Sequence, residues 1–429
     1  MTINTDLKTN KSICPYPWFH SYSGSRYERK LCCISTNIQT CNKQTTAEFW
    51  NSDEMKKIRL SMLNGEKVDE CKQCYALEEV GISSLRQESS EHFGTELLEK
   101  TFSDINPDGS VDKLPRYYDY RTIHCNLQCI SCGPVFSSQH IVLHDKRYPE
   151  HKNFNFIVDK EFEQTLTEEM IQGLLDKRIT DIYWAGGEPM MSTMHWAVME
   201  KMKELSMIDS EWEEYIMKIK IHYNSNMTRT TWKGNNVYQL LSTFKNLIMQ
   251  VSIDGVAETF EYTRDGAKWD EVKFNWEKAF ETGINLQIAS VLSAPVLIDI
   301  DRWFDFFEPY GVYVFNHKFH SDLQDYPNSS QGMLDIRTYP KHIFDRVIDH
   351  AIKRFENAKN LKNTDKSIAI LNALRIERER DVKFFDDPEL IKKLKDKAED
   401  RDNYHLTGKR FSTLLQQVDP EIYEWYMNI

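Results

Sequence analysis

Tyr117-Tyr-Asp-Tyr-Arg-Thr-Ile-His-Cys-Asn-Leu-Gln-Cys-Ile-Ser-Cys-Gly-Pro134 is the stretch on which the reading of this chain turns. Its aromatic and apolar opening predicts a strand over 117–123. Cys125, Cys129 and Cys132 follow in the pattern C-x-x-x-C-x-x-C, and Gly133-Pro134 stops regular structure directly after them. Three thiolates within eight residues of loop can converge on one point. A cubane iron–sulfur cluster takes four ligands, so three thiolates leave one iron open. A structural zinc would take a fourth protein ligand, for which His124 and His140 are the candidates.

Downstream, strand-like runs at 181–185, 219–223, 247–253, 284–292 and 312–315 alternate with helical periodicity. Phe162–Lys177 carries Leu166, Met170, Leu174 and Leu175 on one side, and Thr193–Leu205 carries Trp196, Met199 and Met202. Strand–helix alternation implies a parallel sheet with right-handed crossovers, whose ligands sit at the carboxyl ends of the strands. Polar motifs fall at those ends. Ala185-Gly-Gly-Glu-Pro189 closes the second run, Asn224-Ser-Asn226 the third, and Ser252-Ile-Asp254-Gly255 the fourth. Alternation puts Ser252 and Asp254 on one side, where buried polar groups need partners. Gln287 and Ser290 interrupt the fifth run, which ends at Leu292-Ser-Ala-Pro295.

The triplet after a strand, with Gly186-Gly187-Glu188-Pro189 placed 54 positions beyond Cys132, resembles the radical S-adenosylmethionine (SAM) enzymes. The resemblance implies an α/β fold, the partial (β/α)6 barrel. It also implies a 4Fe-4S cluster on Cys125, Cys129 and Cys132 whose open iron is chelated by SAM. Reductive cleavage of SAM then yields a 5'-deoxyadenosyl radical that abstracts a substrate hydrogen. By the same resemblance Gly186, Gly187, Glu188 and Pro189 hold the methionyl amino group, and Arg264 in Tyr262-Thr-Arg-Asp-Gly266 meets the SAM carboxylate. Asn224 and Asn226 become contacts to SAM or substrate, with turn-capping the alternative. An electron donor such as flavodoxin or ferredoxin is the expected partner.

Six further cysteines precede the triplet: Cys14, Cys32, Cys33, Cys41, Cys71 and Cys74. Cys71-x-x-Cys74 offers two thiolates from one turn, and Cys14 sits on a proline-fixed turn, Cys14-Pro-Tyr-Pro-Trp18. Cys32 and Cys33 point to opposite faces of an extended segment, so one of them joins the set; we enter Cys33. Cys41 is expected to be inert. Thr46–Leu63 reads as one helix ended by Asn64-Gly65, and Gly81–Lys113 as a connector with a turn at Asn106-Pro-Asp-Gly109. Cys14-Pro with Trp18, the Cys-Cys pair, Phe49-Trp50-Asn51-Ser52, Ile58-Arg59 and Cys71-x-x-Cys74 look like the SPASM and twitch modules of radical SAM enzymes. Those modules hold a second iron–sulfur cluster, and many of their enzymes modify peptides or proteins. They usually follow the barrel; here the pattern precedes it. A non-enzymatic zinc-binding scaffold is the alternative reading of the same cysteines.

The 429 residues, 40% hydrophobic and 28% charged, suit two or three globular domains. We set them at 1–112 (auxiliary module), 113–320 (core barrel) and 321–429, where helical spacing recurs at Ile343–Phe355, Ile368–Ile376 and Leu390–Ala398. A net charge of −12 argues against an extended nucleic-acid footprint. Residues 1–11 are polar and no long apolar run occurs, so neither export nor membrane insertion is expected. Nine cysteines, all before residue 133, point to metal ligation in a reducing cytoplasm rather than to disulfides. His317 and His320 stand near the sixth strand's end without an assigned role.

Overall fold

The structure, a computed structural model, describes residues 10–24, 28–35, 44–79, 83–134, 136–147, 160–318 and 332–429. Cys41, Gly81 and His320 lie outside the described residues. The chain divides into two compact units. One comprises Met1–Ile123, Phe156–His222 and Phe244–Asn246; the other His124–Asn155, Tyr223–Thr243 and Leu247–Ile429.

The strands are β1 His20–Gly24, β2 Arg29–Lys30, β3 Tyr117–Thr122, β4 Asp181–Gly186, β5 Lys220–Ser225, β6 Thr231–Trp232, β7 Asn235–Asn236, β8 Leu247–Ser252, β9 Asn285–Leu292 and β10 Tyr313–Lys318. In the first unit β1 pairs parallel with β3 and β3 parallel with β4, while β2 closes the edge antiparallel to β1. In the second unit β8, β9 and β10 are parallel neighbours, and β6–β7 form a small ribbon. The division between units falls inside β5, after His222. The fold is therefore α/β with parallel strands, and the six strands expected from the sequence are β3, β4, β5, β8, β9 and β10. Their legibility has a simple cause. A parallel strand covered on both faces is a near-continuous apolar run, as in β9, where Leu286 to Ser290 are all buried. Expected helices appear at Lys160–Leu175, Thr193–Ser206, Lys341–Glu356, Thr364–Arg380 and Pro388–Asp402. No helix among the described residues is long and apolar enough to cross a membrane.

The amino-terminal segment departs from expectation. The single helix over Thr46–Leu63 is two, Thr46–Trp50 and Asp53–Leu63, because Ser52 leaves the helix to accept from Met55 N and cap the second. The connector instead carries helices Leu85–Phe93 and Thr95–Ser103. Ser84 and Gln87 form a capping box that starts the first, and Leu98 and Phe102 sink fully into the module core. That core gathers Trp18, Phe19, Trp50, Met62, Leu98 and Phe102. Arg59 ties it together from within. Its Nε donates to Pro17 O at 2.8 Å, its Nη1 reaches Asn51 Oδ1 at 3.2 Å, and its guanidinium lies 4.8 Å over the Trp50 ring. Burial lowers its pKa to about 9. Asn51 in turn exchanges bonds with Val111, donating from Nδ2 at 2.9 Å and accepting at Oδ1 at 3.0 Å. The Phe49-Trp50-Asn51-Ser52 and Arg59 features thus brace the module.

Candidate functional site

In the second unit the segment 124–134 has no regular structure, yet its backbone is fixed on two sides. Gln128 N donates to Asp265 O and Ile130 N to Thr263 O, both at 2.9 Å. On the other side, helix Ser138–Arg147 supplies Ser138, whose Oγ accepts from Cys125 N and donates to Cys125 O, both at 3.2 Å. Ser137 Oγ donates to Leu127 O at 3.2 Å, and His140 Nε2 meets Cys129 O at 2.9 Å. His140 is therefore engaged through Nε2 with the Cys129 backbone carbonyl rather than with a thiol. Gly266 (φ +95°) permits the close approach: a Cβ there would stand 3.1 Å from Leu406 and 3.5 Å from Asn126 O.

The strap 263–266 is itself anchored by the carboxyl-terminal region. Asp265 accepts from Leu406 N at 2.9 and 3.0 Å and meets His405 Nδ1 at 2.9 Å. His405 Nε2 lies 3.1 Å from Tyr262 O. These partners stand some 140 residues apart in the chain, which is why no local pattern announced Asp265 or His405.

Cys129 is buried, and Cys125 and Cys132 are half-buried. Two polar side chains aim N–H groups at the sulfurs: Arg264 Nη1 at Cys129 Sγ (3.7 Å) and Asn226 Nδ2 at Cys125 Sγ (3.9 Å). Burial raises the Cys129 thiol despite the Arg264 charge, and burial with the Cys129 charge pushes Cys132 up to about 12. Positive iron is what would reverse that balance, since a coordinating thiol is deprotonated outright. Among the described residues no three His, Cys, Asp or Glu side chains are placed to hold a single metal ion.

The residues expected to contact SAM fall in two groups. In the second unit Ser252 ends β8 with Asp254 just beyond it, Arg264 pairs with Asp254, and Asn226 directly follows β5. Asp254 Oδ2 pairs with Arg264 Nη2 at 2.8 Å, and its Oδ1 accepts from Val291 N at 2.8 Å. Burial opposes the Arg264 charge, but Asp254 and Cys129 outweigh it and hold the guanidinium above its usual range. Asn226 also caps a turn, accepting from Thr228 N at 3.0 Å, which matches the turn-capping reading. Ser252 is half-buried at the strand end. Three buried polar atoms here have no hydrogen-bond partner: Arg264 Nε, Asn224 Oδ1 and Ser290 Oγ. Orphans of this kind, at strand ends, fit a polar ligand.

Gly186–Pro189 lies in the first unit, at the end of β4. Gly186 has φ +97°, and Gly187 N donates to Thr122 O at 2.6 Å. Glu188 is wholly buried and caps the following turn by accepting from Met190 N at 3.1 Å. Pro189 opens that turn. The paired glycines thus serve a close approach of β4 to β3.

The amino-terminal cysteines also converge, with one change. Cys14, Cys32, Cys71 and Cys74, all buried, line one small cavity with Tyr16 and Arg86. Cys33 is the exposed member of its pair and does not line it. The turn after β2, where Ser35 Oγ donates to Cys32 O at 2.9 Å, rotates Cys32 inward. Burial pushes Cys14 up to about 12 and also raises Cys32 and Cys71, each further raised by the neighbouring thiols. Arg86, read in the sequence as connector, donates from Nη1 to Ile13 O at 2.6 Å and pairs with Glu78.

No family model and no curated protein matches the chain. Solved structures with a partial likeness include anSMEcpe with bound AdoMet (16% identity, TM-score 0.37, covering 56% of this chain and 62% of that one). SuiB of Streptococcus suis bound to S-adenosylmethionine gives 15% identity and TM-score 0.37, over 72% of this chain and 64% of that one. TYW1 with a lysine-pyruvate adduct gives 13% and 0.30, over 55% and 70%. The chain spans less than two thirds of the first two, and likenesses this slight establish neither family nor function.

Proposed function

We propose that the chain is a radical SAM enzyme with two iron–sulfur sites. Bound cluster and SAM would supply a 5'-deoxyadenosyl radical for hydrogen abstraction from a substrate. The chain's own part is to hold and orient these groups and to keep water from the radical. Cys125, Cys129 and Cys132 would ligate the first cluster, with Asn226 and Arg264 donating to its sulfurs. Carbonyls of the Gly186–Pro189 turn would accept from the SAM ammonium. Ser252, Asp254 and the orphaned atoms of Asn224, Arg264 and Ser290 would meet its polar groups. Because Asp254 already occupies one edge of Arg264, a SAM carboxylate would take the Nε side. Cys14, Cys32, Cys71 and Cys74 would ligate the second cluster, with Cys32 in place of Cys33. Residues 1–112 then form the auxiliary module, 113–320 the core and 321–429 a helical region that anchors the cysteine loop. A peptide or protein substrate and a flavodoxin- or ferredoxin-type donor follow from the twitch and SPASM resemblance.

The observation that carries the reading is the clamped cysteine loop with two N–H groups aimed at its sulfurs. The zinc-scaffold alternative would use the same cysteines, with Cys14, Cys32, Cys71 and Cys74 as one four-thiolate site, and the identity of the bound metal separates the two readings. The test is SAM cleavage by anaerobically reconstituted protein with a strong reductant, against a Cys125→Ala/Cys129→Ala/Cys132→Ala variant, with iron counted in both. Wild type should form 5'-deoxyadenosine, and the variant none while keeping about one cluster's iron. No cleavage by a protein whose native metal is zinc overturns the proposal.

A further inference from the structure

Helix Leu85–Phe93 opens with a charge of the wrong sign. The first turn of a helix already carries partial positive charge, and Arg86 adds a full one there. Arg86 is also buried, where a charge is costly unless it is paired. Arg59, buried in the same module, spends its donors on Pro17 O, Asn51 and Gly109 O, and burial lowers its pKa. Arg86 instead takes a carboxylate. Burial works against the charge on both Arg86 and Glu78, but their pairing outweighs it and keeps both ionised.

The guanidinium is fastened to both flanks of the amino-terminal cysteine set. Nη1 donates to Ile13 O, the residue before Cys14, at 2.6 Å. Nε donates to Glu78 Oε1 at 3.0 Å, and Nη2 pairs with Oε2 of the same carboxylate. Glu78 stands one turn beyond Cys74 on helix Lys72–Glu79. The Tyr75 ring lies 5.8 Å from the guanidinium carbon. Arg86 lines the small cavity of Cys14, Cys32, Cys71 and Cys74, and among the described residues it is the one cation that does. Glu78 does not line it, so the ion pair presents its positive end to the thiols. The cavity's one carboxylate, Glu70, is half-buried. Four buried thiols in a largely apolar cavity fit a cluster as donor set. A cluster held by four thiolates is anionic and gains a further negative charge on one-electron reduction. A fixed cation on its wall therefore favours the reduced form, and a low-dielectric wall strengthens that effect.

We propose that Arg86 is a non-ligating residue that raises the reduction potential of a second cluster held by Cys14, Cys32, Cys71 and Cys74, with Glu78 as the counter-ion that orients it. The inference rests on the two-cluster reading above.

The test uses the full chain carrying Cys125→Ala/Cys129→Ala/Cys132→Ala, in which any cluster present is the second. After anaerobic reconstitution and iron counting, the protein is titrated with dithionite while the electron paramagnetic resonance signal of the reduced cluster is followed. Arg86→Gln in this background should disfavour the reduced form at least about tenfold, a midpoint lower by about 59 mV. Glu78→Gln should move the midpoint the opposite way, because the cation stays and its counter-charge goes. Arg86→Lys keeps the charge and should lie closer to the parent than Arg86→Gln does. The double variant Glu78→Gln/Arg86→Gln strands no buried charge and should lie between the two single variants, below the parent; it carries the comparison where Arg86→Gln loads no iron. Unchanged midpoints in the iron-loaded variants, or shifts of the same sign for Arg86→Gln and Glu78→Gln, overturn the proposal and leave the second cluster standing. Loss of iron from every Arg86 variant, the lysine included, marks a purely structural role and also overturns it. A parent without cluster iron overturns the two-cluster reading and this inference together.

Discussion

Gly186→Ala tests whether the turn after β4 is glycine-rich for a backbone reason. Gly186 lies directly opposite Thr122 in the β3–β4 register, with φ +97°. A Cβ added there would stand 2.1 Å from Thr122 O and 2.7 Å from Thr122 N, where ordinary contacts begin near 3.4 Å. Both obstacles are backbone, so no side chain can swing aside and the strand ends must part by about 1 Å. The left-handed φ adds about 1–3 kcal/mol of strain, and the overlap about 1–3 kcal/mol more, a loss of about 2–6 kcal/mol in all. Separation would also break the Gly187 N to Thr122 O bond and move Glu188 and Pro189. The assay is urea unfolding followed by tryptophan fluorescence, for which Trp184 and Trp196 are buried beside the turn. Gly133→Ala is the control, since a Cβ there meets nothing within 4 Å. A Gly186→Ala midpoint equal to that of Gly133→Ala would refute the reasoning.

Iron counting separates the paired cysteines: Cys32→Ser should lose about one cluster's iron and Cys33→Ser none, and the reverse result would restore Cys33 as the ligand. Asp119 gives a pH prediction. Burial raises its pKa, but Arg121 and His20 outweigh burial and hold the carboxyl below its usual range. Its contribution is therefore full above about pH 4 and is lost as pH falls through the lower folded pKa. Asp119→Asn should be destabilised at pH 7, with the gap from wild type narrowing below about pH 4 in unfolding midpoints; a gap constant with pH sinks the assignment. His405→Phe removes the ring nitrogens that meet Asp265 and Tyr262 O, at a cost of about 1–3 kcal/mol. Iron should then pass faster to a chelator from the Cys125/Cys129/Cys132 site only, so equal release rates would count against the anchor.

What could be read in advance was local. Six strands announced themselves in the sequence as apolar or aromatic runs, and the cysteine triplet and the Gly-Gly turn by spacing. Strand β1 did not, because His20-Ser-Tyr-Ser-Gly24 has no apolar run; its side chains belong to the polar face around Arg121. Helix Leu85–Phe93 did carry a signal, the Ser84/Gln87 capping box, hidden among charges. The choice between Cys32 and Cys33 was undecidable in principle from the pair alone. Alternation says that they face opposite ways, and only the turn made with Ser35 decides which way is inward.

The clamp on the cysteine loop also has a consequence in time. Asp265 stands 133 positions after Cys132, and Leu406, which secures Asp265, stands 274 positions after it. At about 5–20 residues per second of synthesis, the thiols precede their final anchor by about 14–55 s. During that interval the loop has been made with neither its strap nor the strap's fastening in place. Iron delivered then would meet three unpositioned thiols, and oxygen would meet the same three unprotected. On the proposed reading, loading belongs after Leu406 has been made and has met Asp265, and slowing translation beyond residue 265 should lower the iron content of the finished protein.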